Sequence, residues 1–163
     1  MSEIASLIER IAATPGCVVH PSSGAPRVAA DEVLPADVAT FYALCGGVSL
    51  FTSADYGIDI VAPSDVLRAN PMIRGADDES DLSHSWYVVA RAGEGQFLTI
   101  DCQPDRLGRC HDGFWDSHAI RGSSPIIAMT FEELLTRLLE SRGQRWYWLE
   151  PGWVGYGDAY DTR

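Results

Sequence analysis

A strand–turn–strand pattern in the middle of the chain constrains the fold more than any other feature. Residues 86–90 are rich in β-branched and aromatic side chains, and residues 96–100 repeat that character. The glycine-containing segment 93–95 between them suits a tight turn, so the two runs are predicted to form an antiparallel hairpin. Further short strands are predicted within 48–51, 58–61, 107–111 and 126–128.

Helical patterns lie on both sides of these strands in the sequence. Apolar residues follow a helical stripe in segments 2–13 and 34–45. A third helix is predicted to begin at Thr130, which forms a capping box with Glu133, and to end at Gly143. Strands grouped between helices predict an α+β fold, with a mostly antiparallel or mixed sheet flanked by helices. One sheet face is expected under the helices, and the other faces water or a partner.

The size and hydropathy of the chain fit one domain without a membrane segment. Its 163 residues are 46% hydrophobic, which is enough to build a core without disulfides or metals. No apolar run approaches the length of about 18 residues that a membrane helix needs. The acidic Glu3 stands where a signal peptide carries positive charge, so a soluble, cytoplasmic protein is expected. The four cysteines are then expected to be reduced.

Net charge restricts the classes of partner. The formal charge is −11 at neutral pH, so the surface repels nucleic-acid phosphates and anionic membranes. The same surface attracts a basic protein and accelerates the encounter with it. The alternative is that the charge only maintains solubility.

Catalytic and metal-binding patterns are weak in this sequence. Cys110, His111 and Asp112 have suitable chemistry, but neighbours in a strand point to opposite faces. The histidines lack HExxH spacing, and the cysteines lack paired zinc-ligand spacing. No cofactor, no metal and no catalytic activity are therefore predicted. The alternative is a small hydrolase or ligand-binding domain, in which His111, Asp112 and Asp116 converge in a deep pocket.

An acidic run and an aromatic tail are the remaining distinctive segments. Residues 77–81 fit a solvated loop, a partner contact or, with poorer ligand spacing, a calcium site. Tail 143–163 is rich in tryptophan and tyrosine; its interpretation as an irregular staple on the body is favoured over an interface hot spot. The predicted partner-contact residues are Asp77, Asp78, Glu79 and Asp81, with Trp86, Asp101, Asp112 and Trp115 as secondary candidates.

Several segments, in order, resemble the SUKH superfamily, which is named in part after the yeast Smi/Knr cell-wall regulators. The first is a Leu-Pro-x-Asp-hydrophobic helix that ends in a glycine pair, with Cys45 where the family usually has asparagine. A hairpin and a closing Thr-Phe-Glu-Glu-Leu-Leu helix follow. The matching segments are 34–38, 41–47, 60–66, 86–90, 95–101, 109–112 and 130–135.

This resemblance implies an α+β fold and a non-catalytic protein-binding function. Many bacterial relatives are immunity proteins that bind and neutralise toxins, often nucleases, so a basic protein toxin is the expected partner. The alternative is a regulatory scaffold for an endogenous protein, as in the yeast relatives. One domain is predicted over 1–163, with the family-like core at about 30–142 and the aromatic tail after it.

Overall fold

A computed structural model describes residues 2–161. Helix α1 is capped by Ser2, whose hydroxyl accepts a hydrogen bond from the Ala5 amide. Helix α4 is capped by Thr130, whose hydroxyl accepts a hydrogen bond from the Glu133 amide. The Thr130 cap is as predicted from the sequence. The α-helices of the described range are α1 (Glu3–Ala12), α2 (Ala36–Leu44), α3 (Ala69–Arg74) and α4 (Phe131–Ser141).

The sheet is a meander in which each strand pairs with the next along the chain. Every pairing is antiparallel, which confirms the antiparallel form of the prediction. The central hairpin pairs Trp86 with Asp101 and Ala92 with Gln96. The strands are β1 (Val18–Val19), β2 (Val48–Leu50), β3 (Ile58–Ile60), β4 (Trp86–Ala92), β5 (Gln96–Asp101), β6 (Cys110–Asp112) and β7 (Ile126–Ala128).

One face of the sheet packs under α1, α2 and α4. The stripe of α1 and the leucines of α4 are buried there against the inward side chains of the strands. Phe41 of α2 packs edge-on against Phe131, with ring centroids 5.0 Å apart. This layer is the main hydrophobic core, and it forms as the sequence predicts because α1 and α4 each carry a single apolar face.

The opposite face is also covered. Trp86, Val88 and Ile126 pack there under α3, and Ala159 of the tail completes this second cluster. A face open to water or to a partner was one expectation; in the structure the protein itself covers the part of that face formed by Trp86, Val88 and Ile126, whereas Asp59 and Arg91 stay exposed. Neither α3 nor β1 was predicted, because a six-residue helix and a two-residue strand are too short to show a period.

The C-terminal tail is irregular and stapled to the body, as favoured from the sequence. The Tyr147 hydroxyl donates to the Ile127 carbonyl at 2.6 Å, and the Trp146 indole donates to the Tyr56 carbonyl at 3.1 Å. Asp158 bridges to Pro125 beside β7, so the tail also borders that end of the sheet. Tail residues 162–163 lie outside the described range. Between residues 2 and 161, no helix combines the length and apolarity needed to cross a bilayer.

Candidate protein-binding surface

The acidic segment 77–81, here called the acidic loop, connects α3 to the 3₁₀ turn Leu82–Ser85. Gly75 ends α3 with a left-handed backbone (φ +80°), which turns the chain outward. Asp77, Asp78 and Glu79 are exposed, and Asp81 is half-buried. The structure therefore brings the four primary contact candidates together on one surface.

Asp77 is fixed by two side chains from the flanking elements. Asn70 of α3 donates to one carboxylate oxygen at 3.0 Å, and the His84 ring lies 2.6 Å from the other. An ionised carboxylate only accepts hydrogen bonds, so His84 Nδ1 is the donor. Burial on its own would raise the pKa of Asp77, but the hydrogen bonds from Asn70 and His84 lower it below its usual value. Asp77 therefore stays negatively charged.

Asp81 anchors the other end of the acidic loop. Its carboxylate caps the 3₁₀ turn by accepting from the Ser83 amide at 2.9 Å, and it accepts from the Tyr160 hydroxyl at 2.7 Å. Burial would raise the pKa of Asp81, but the bonds from Ser83 and Tyr160 lower it overall. The chain is thus held at both ends of the loop in one conformation.

The two carboxylates between these anchors are available to a partner. Asp78 accepts only local bonds from the amide and hydroxyl of Ser80, at 3.0 and 2.6 Å. These bonds from Ser80 lower the pKa of Asp78. Within residues 2–161, Glu79 has no hydrogen-bond or ion-pair partner. Asp78 and Glu79 are therefore charged groups on a fixed backbone with free acceptor capacity.

A buried polar network supports the acidic loop from below. Asn70 donates to Ser83 at 2.9 Å, and its carbonyl oxygen lies 2.7 Å from Nε2 of the buried His118. Burial is the main cause that lowers the pKa of His118, to about 4, so its ring is neutral at physiological pH. Neutral His118 donates through Nε2 and fixes the amide orientation that Asn70 needs to reach Asp77.

Trp86 and Asp101 lie beneath this surface rather than on it. Each side chain is 1% exposed, so neither touches a partner in this conformation. The Trp86 indole donates to Asp101 at 3.1 Å, and Arg106 forms an ion pair with the same carboxylate at 2.8 Å. The Trp86 ring contacts those of His118 and Tyr160, with centroids 5.8 and 6.1 Å away. Trp86 therefore contacts two side chains that support the acidic loop, and Asp101 bonds to Trp86.

Asp112 and Trp115 lie elsewhere. Asp112 is half-buried and accepts from the Gln96 side chain at 2.6 Å. Trp115 is 56% exposed, beside the turn of the β4–β5 hairpin. Among the described residues, no hydrogen bond or ring contact joins Asp112 or Trp115 to the acidic loop, so the acidic and aromatic candidates do not form one cluster.

The convergence of His111, Asp112 and Asp116 in one pocket, which the hydrolase alternative predicts, is not found among the described residues. His111 is buried and stacks on Trp86 at 3.9 Å, whereas Asp112 bonds to Gln96 and Asp116 is exposed. Burial lowers the pKa of His111 to about 3. In the same part of the chain, no group of three or more His, Cys, Asp or Glu side chains is placed to hold a metal ion.

Sequence reasoning missed the supporting residues Asn70, Ser83, His118 and Tyr160. Three of them lie in segments without a periodic pattern, and Tyr160 belongs to a tail that was interpreted as a staple in general. Some of their partners are distant in sequence, as with Asn70 and His118, which are 48 residues apart, and Tyr160 and Asp81, which are 79 residues apart. Only the folded chain reveals such pairs.

No family model matches the chain, and no solved structure matches it. Among curated proteins, it is 44% identical over 155 residues to a protein of Bacillus subtilis (strain 168) named Immunity protein YokJ. The alignment covers 95% of this chain and 94% of that protein. Such identity over nearly the full length of both chains places this protein in the family of the Bacillus subtilis immunity protein YokJ.

Proposed function

We propose that this protein is a non-catalytic immunity protein that neutralises a basic, nucleic-acid-cleaving toxin by direct binding. The acidic loop is the observation that carries the proposal, because it presents fixed negative charges on a protein whose relative is an immunity protein. The SUKH-type segments 34–47 and 86–101 support the same function.

Nuclease chemistry explains why charge suits this purpose. A nuclease needs cationic side chains around its nucleic-acid site, since it must hold a polyanion. A protein of charge −11 is attracted to that site over several ångströms, and carboxylates can occupy the positions of phosphates. The toxin is then blocked by occupation of its substrate site.

The primary contacts assigned are Asp78 and Glu79, with Asp77 and Asp81 contributing charge while holding the loop. A fixed loop loses little conformational entropy when it binds. The entropic cost therefore offsets less of its electrostatic attraction to the partner than it would for a mobile segment. Asp112 remains a peripheral candidate. Trp86 and Asp101 are assigned a positioning role.

The proposed site of action is the cytoplasm of the cell that produces the toxin. All four cysteines are free thiols, and three of them are buried, which fits a reducing compartment. The proposed unit is one domain over 1–163, with a family-like core at about 30–142.

Mixing this protein with the product of an adjacent toxin-like gene tests the proposal, with calorimetry to detect the complex and stopped-flow kinetics to measure the association rate. The wild-type protein is expected to bind in a 1:1 complex and to block nucleic-acid cleavage. The double variant Asp78→Asn/Glu79→Gln is expected to associate about tenfold more slowly at low salt. The control Glu9→Gln/Asp55→Asn removes the same charge from exposed sites outside the loop, and it should retain the wild-type rate.

Two results would contradict the proposal in different ways. Absence of any complex with the wild-type protein would remove the immunity function. A complex that both double variants form at equal rates would retain the function and exclude the acidic loop from the interface.

A further inference from the structure

We propose that Trp115 is the aromatic anchor of the interface, and that its ring receives an arginine side chain of the toxin. This inference rests on the proposed function and specifies the chemistry of a second contact, outside the acidic loop. Its support comes from the exposure of the ring, the way the ring is seated, and the charge around it.

Trp115 stands apart from the other tryptophans. Its side chain is 56% exposed, whereas Trp86 and Trp148 are buried and Trp146 and Trp153 are half-buried. Because the Trp115 ring is largely exposed, it does not provide the stabilisation that a buried tryptophan provides. The fold therefore gains little stability from this side chain. Tryptophan is among the residues most enriched at the centres of protein interfaces.

The Trp115 ring packs against the turn of the β4–β5 hairpin, where a glycine leaves space for it. Gly95 has a left-handed backbone (φ +82°), and a Cβ at this position would overlap the pyrrole part of the Trp115 ring. The Trp115 amide donates to the Gly95 carbonyl at 3.0 Å, and the Gly113 amide donates to the Phe97 carbonyl at 2.8 Å. The indole is thus held against the hairpin while more than half of the side chain remains in solvent. A ring ordered in advance binds at low entropic cost.

Unpaired carboxylates accompany the ring. Glu94 precedes Gly95 in the turn, Asp116 follows Trp115, and both are exposed. Within residues 2–161, no cationic side chain lies within ion-pair distance of either carboxylate. A cation over the ring would therefore meet the negative face of the indole and nearby acids without displacing an existing partner.

The geometry favours arginine as that cation. A guanidinium is planar, so it stacks on an indole while its edges still donate to carboxylates. An ammonium is a compact, strongly hydrated charge that gains less from an aromatic surface. Arginine is also a common cation where proteins bind phosphates, and a toxin that cleaves nucleic acid presents such residues.

The chain segment that carries the anchor runs on to the cavity beside the acidic loop. The segment that begins at Phe114 continues to Ala119, which lines a cavity of about 370 Å³ together with Asp77 and Asp78. His118 bonds to the Phe114 carbonyl through its amide, and its side chain supports the acidic loop through Asn70.

Binding of the neighbouring-gene toxin to single variants tests the anchor. We expect Trp115→Ala to raise the dissociation constant about 30-fold, the loss typical of an interface hot spot. Trp115→Phe keeps a smaller aromatic face and should give an intermediate loss, whereas Trp115→Leu should resemble Trp115→Ala. The control Leu44→Ala shortens a side chain that is 50% exposed at the end of α2, and it should bind like the wild type.

Acrylamide quenching of tryptophan fluorescence gives a second readout that does not require a destabilising substitution. Quenching of the free protein should fall sharply in Trp115→Phe. Bound toxin should reduce the quenching of the wild-type protein by a similar amount. Wild-type affinity of Trp115→Ala, or unchanged quenching in the complex, would overturn the anchor while leaving the proposed function intact. Equal affinity of Trp115→Leu and the wild type would overturn the arginine assignment. Failure of the wild type to bind would remove the proposed function itself.

Discussion

Tyr160 donates a 2.7 Å hydrogen bond to Asp81, which lies 79 residues earlier in the chain. This bond connects the C-terminal tail to the acidic loop. The Tyr160 ring also contacts that of Trp86, so the tail, the loop and the buried cluster form one mechanical unit. The tail therefore helps to hold the proposed binding surface in place.

Tyr160→Phe is expected to loosen the acidic loop. Loss of the hydroxyl removes one hydrogen bond to a carboxylate, so stability in urea should fall by about 1 kcal/mol and toxin affinity should fall with it. The pKa of Asp81 should rise, as followed by NMR titration. Tyr156→Phe is the matched control, because that hydroxyl bonds to Glu133 of α4 and not to the loop. Equal effects of both variants on toxin affinity would contradict the specific role of Tyr160.

Asp101→Ala is expected to destabilise the fold more than any surface acid substitution. It leaves the Arg106 guanidinium and the Trp86 indole without their carboxylate partner in a buried site. Loss of one partner of a buried pair costs about 3–5 kcal/mol, which urea denaturation would detect. Asp105→Ala removes an exposed acid nearby and should cost under about 0.5 kcal/mol. A small effect of Asp101→Ala, together with lost toxin binding, would instead indicate a direct contact.

Stability is expected to fall as the solution becomes mildly acidic. The folded pKa values of His118 and His111 are about 4 and about 3, below the ordinary value of about 6.5. Between pH 6.5 and 4 the unfolded chain therefore binds protons that the folded chain excludes. The stabilisation is complete above about pH 6.5 and is lost as pH falls, by up to about 1.4 kcal/mol per pH unit for each histidine.

Urea midpoints measured from pH 7 to pH 4 would check this expectation. Asp77 and Asp81, whose pKa values are lowered, add losses of the same sign at lower pH. His111→Phe replaces the ring stacked on Trp86 with one that does not titrate, so its pH dependence should be shallower than that of the wild type. An unchanged slope would show that His111 is not the group responsible.

Toxin association is expected to depend strongly on ionic strength. Raising salt from about 0.05 to 0.5 M shortens the screening length from more than about 10 Å to under about 5 Å, so the association rate should fall markedly. Stopped-flow kinetics would measure this slope, and Asp78→Asn/Glu79→Gln should flatten it. A rate independent of salt would exclude steering by the acidic loop.

The main helices and the central hairpin could be predicted because their signals are local. The stripe of α1, the Thr130–Glu133 capping box and the turn at 93–95 each lie within a few residues, and each appears in the structure. The short α3 escaped prediction because about one and a half turns show no period, although it supplies Asn70 to the proposed surface.

The sequence alone determined the fold class, the antiparallel hairpin, the net charge and the position of the acidic run. The net charge is a sum over the composition, and the other three follow from patterns among neighbouring residues. Tertiary structure alone decided that part of the second sheet face is covered, that Trp86 and Asp101 are buried, and that Asn70, His84 and Tyr160 hold the acidic loop. Those outcomes depend on side chains that meet only after folding. In this protein, burial and hydrogen bonding between distant segments determine which carboxylates are exposed and which are buried. Local sequence preference does not.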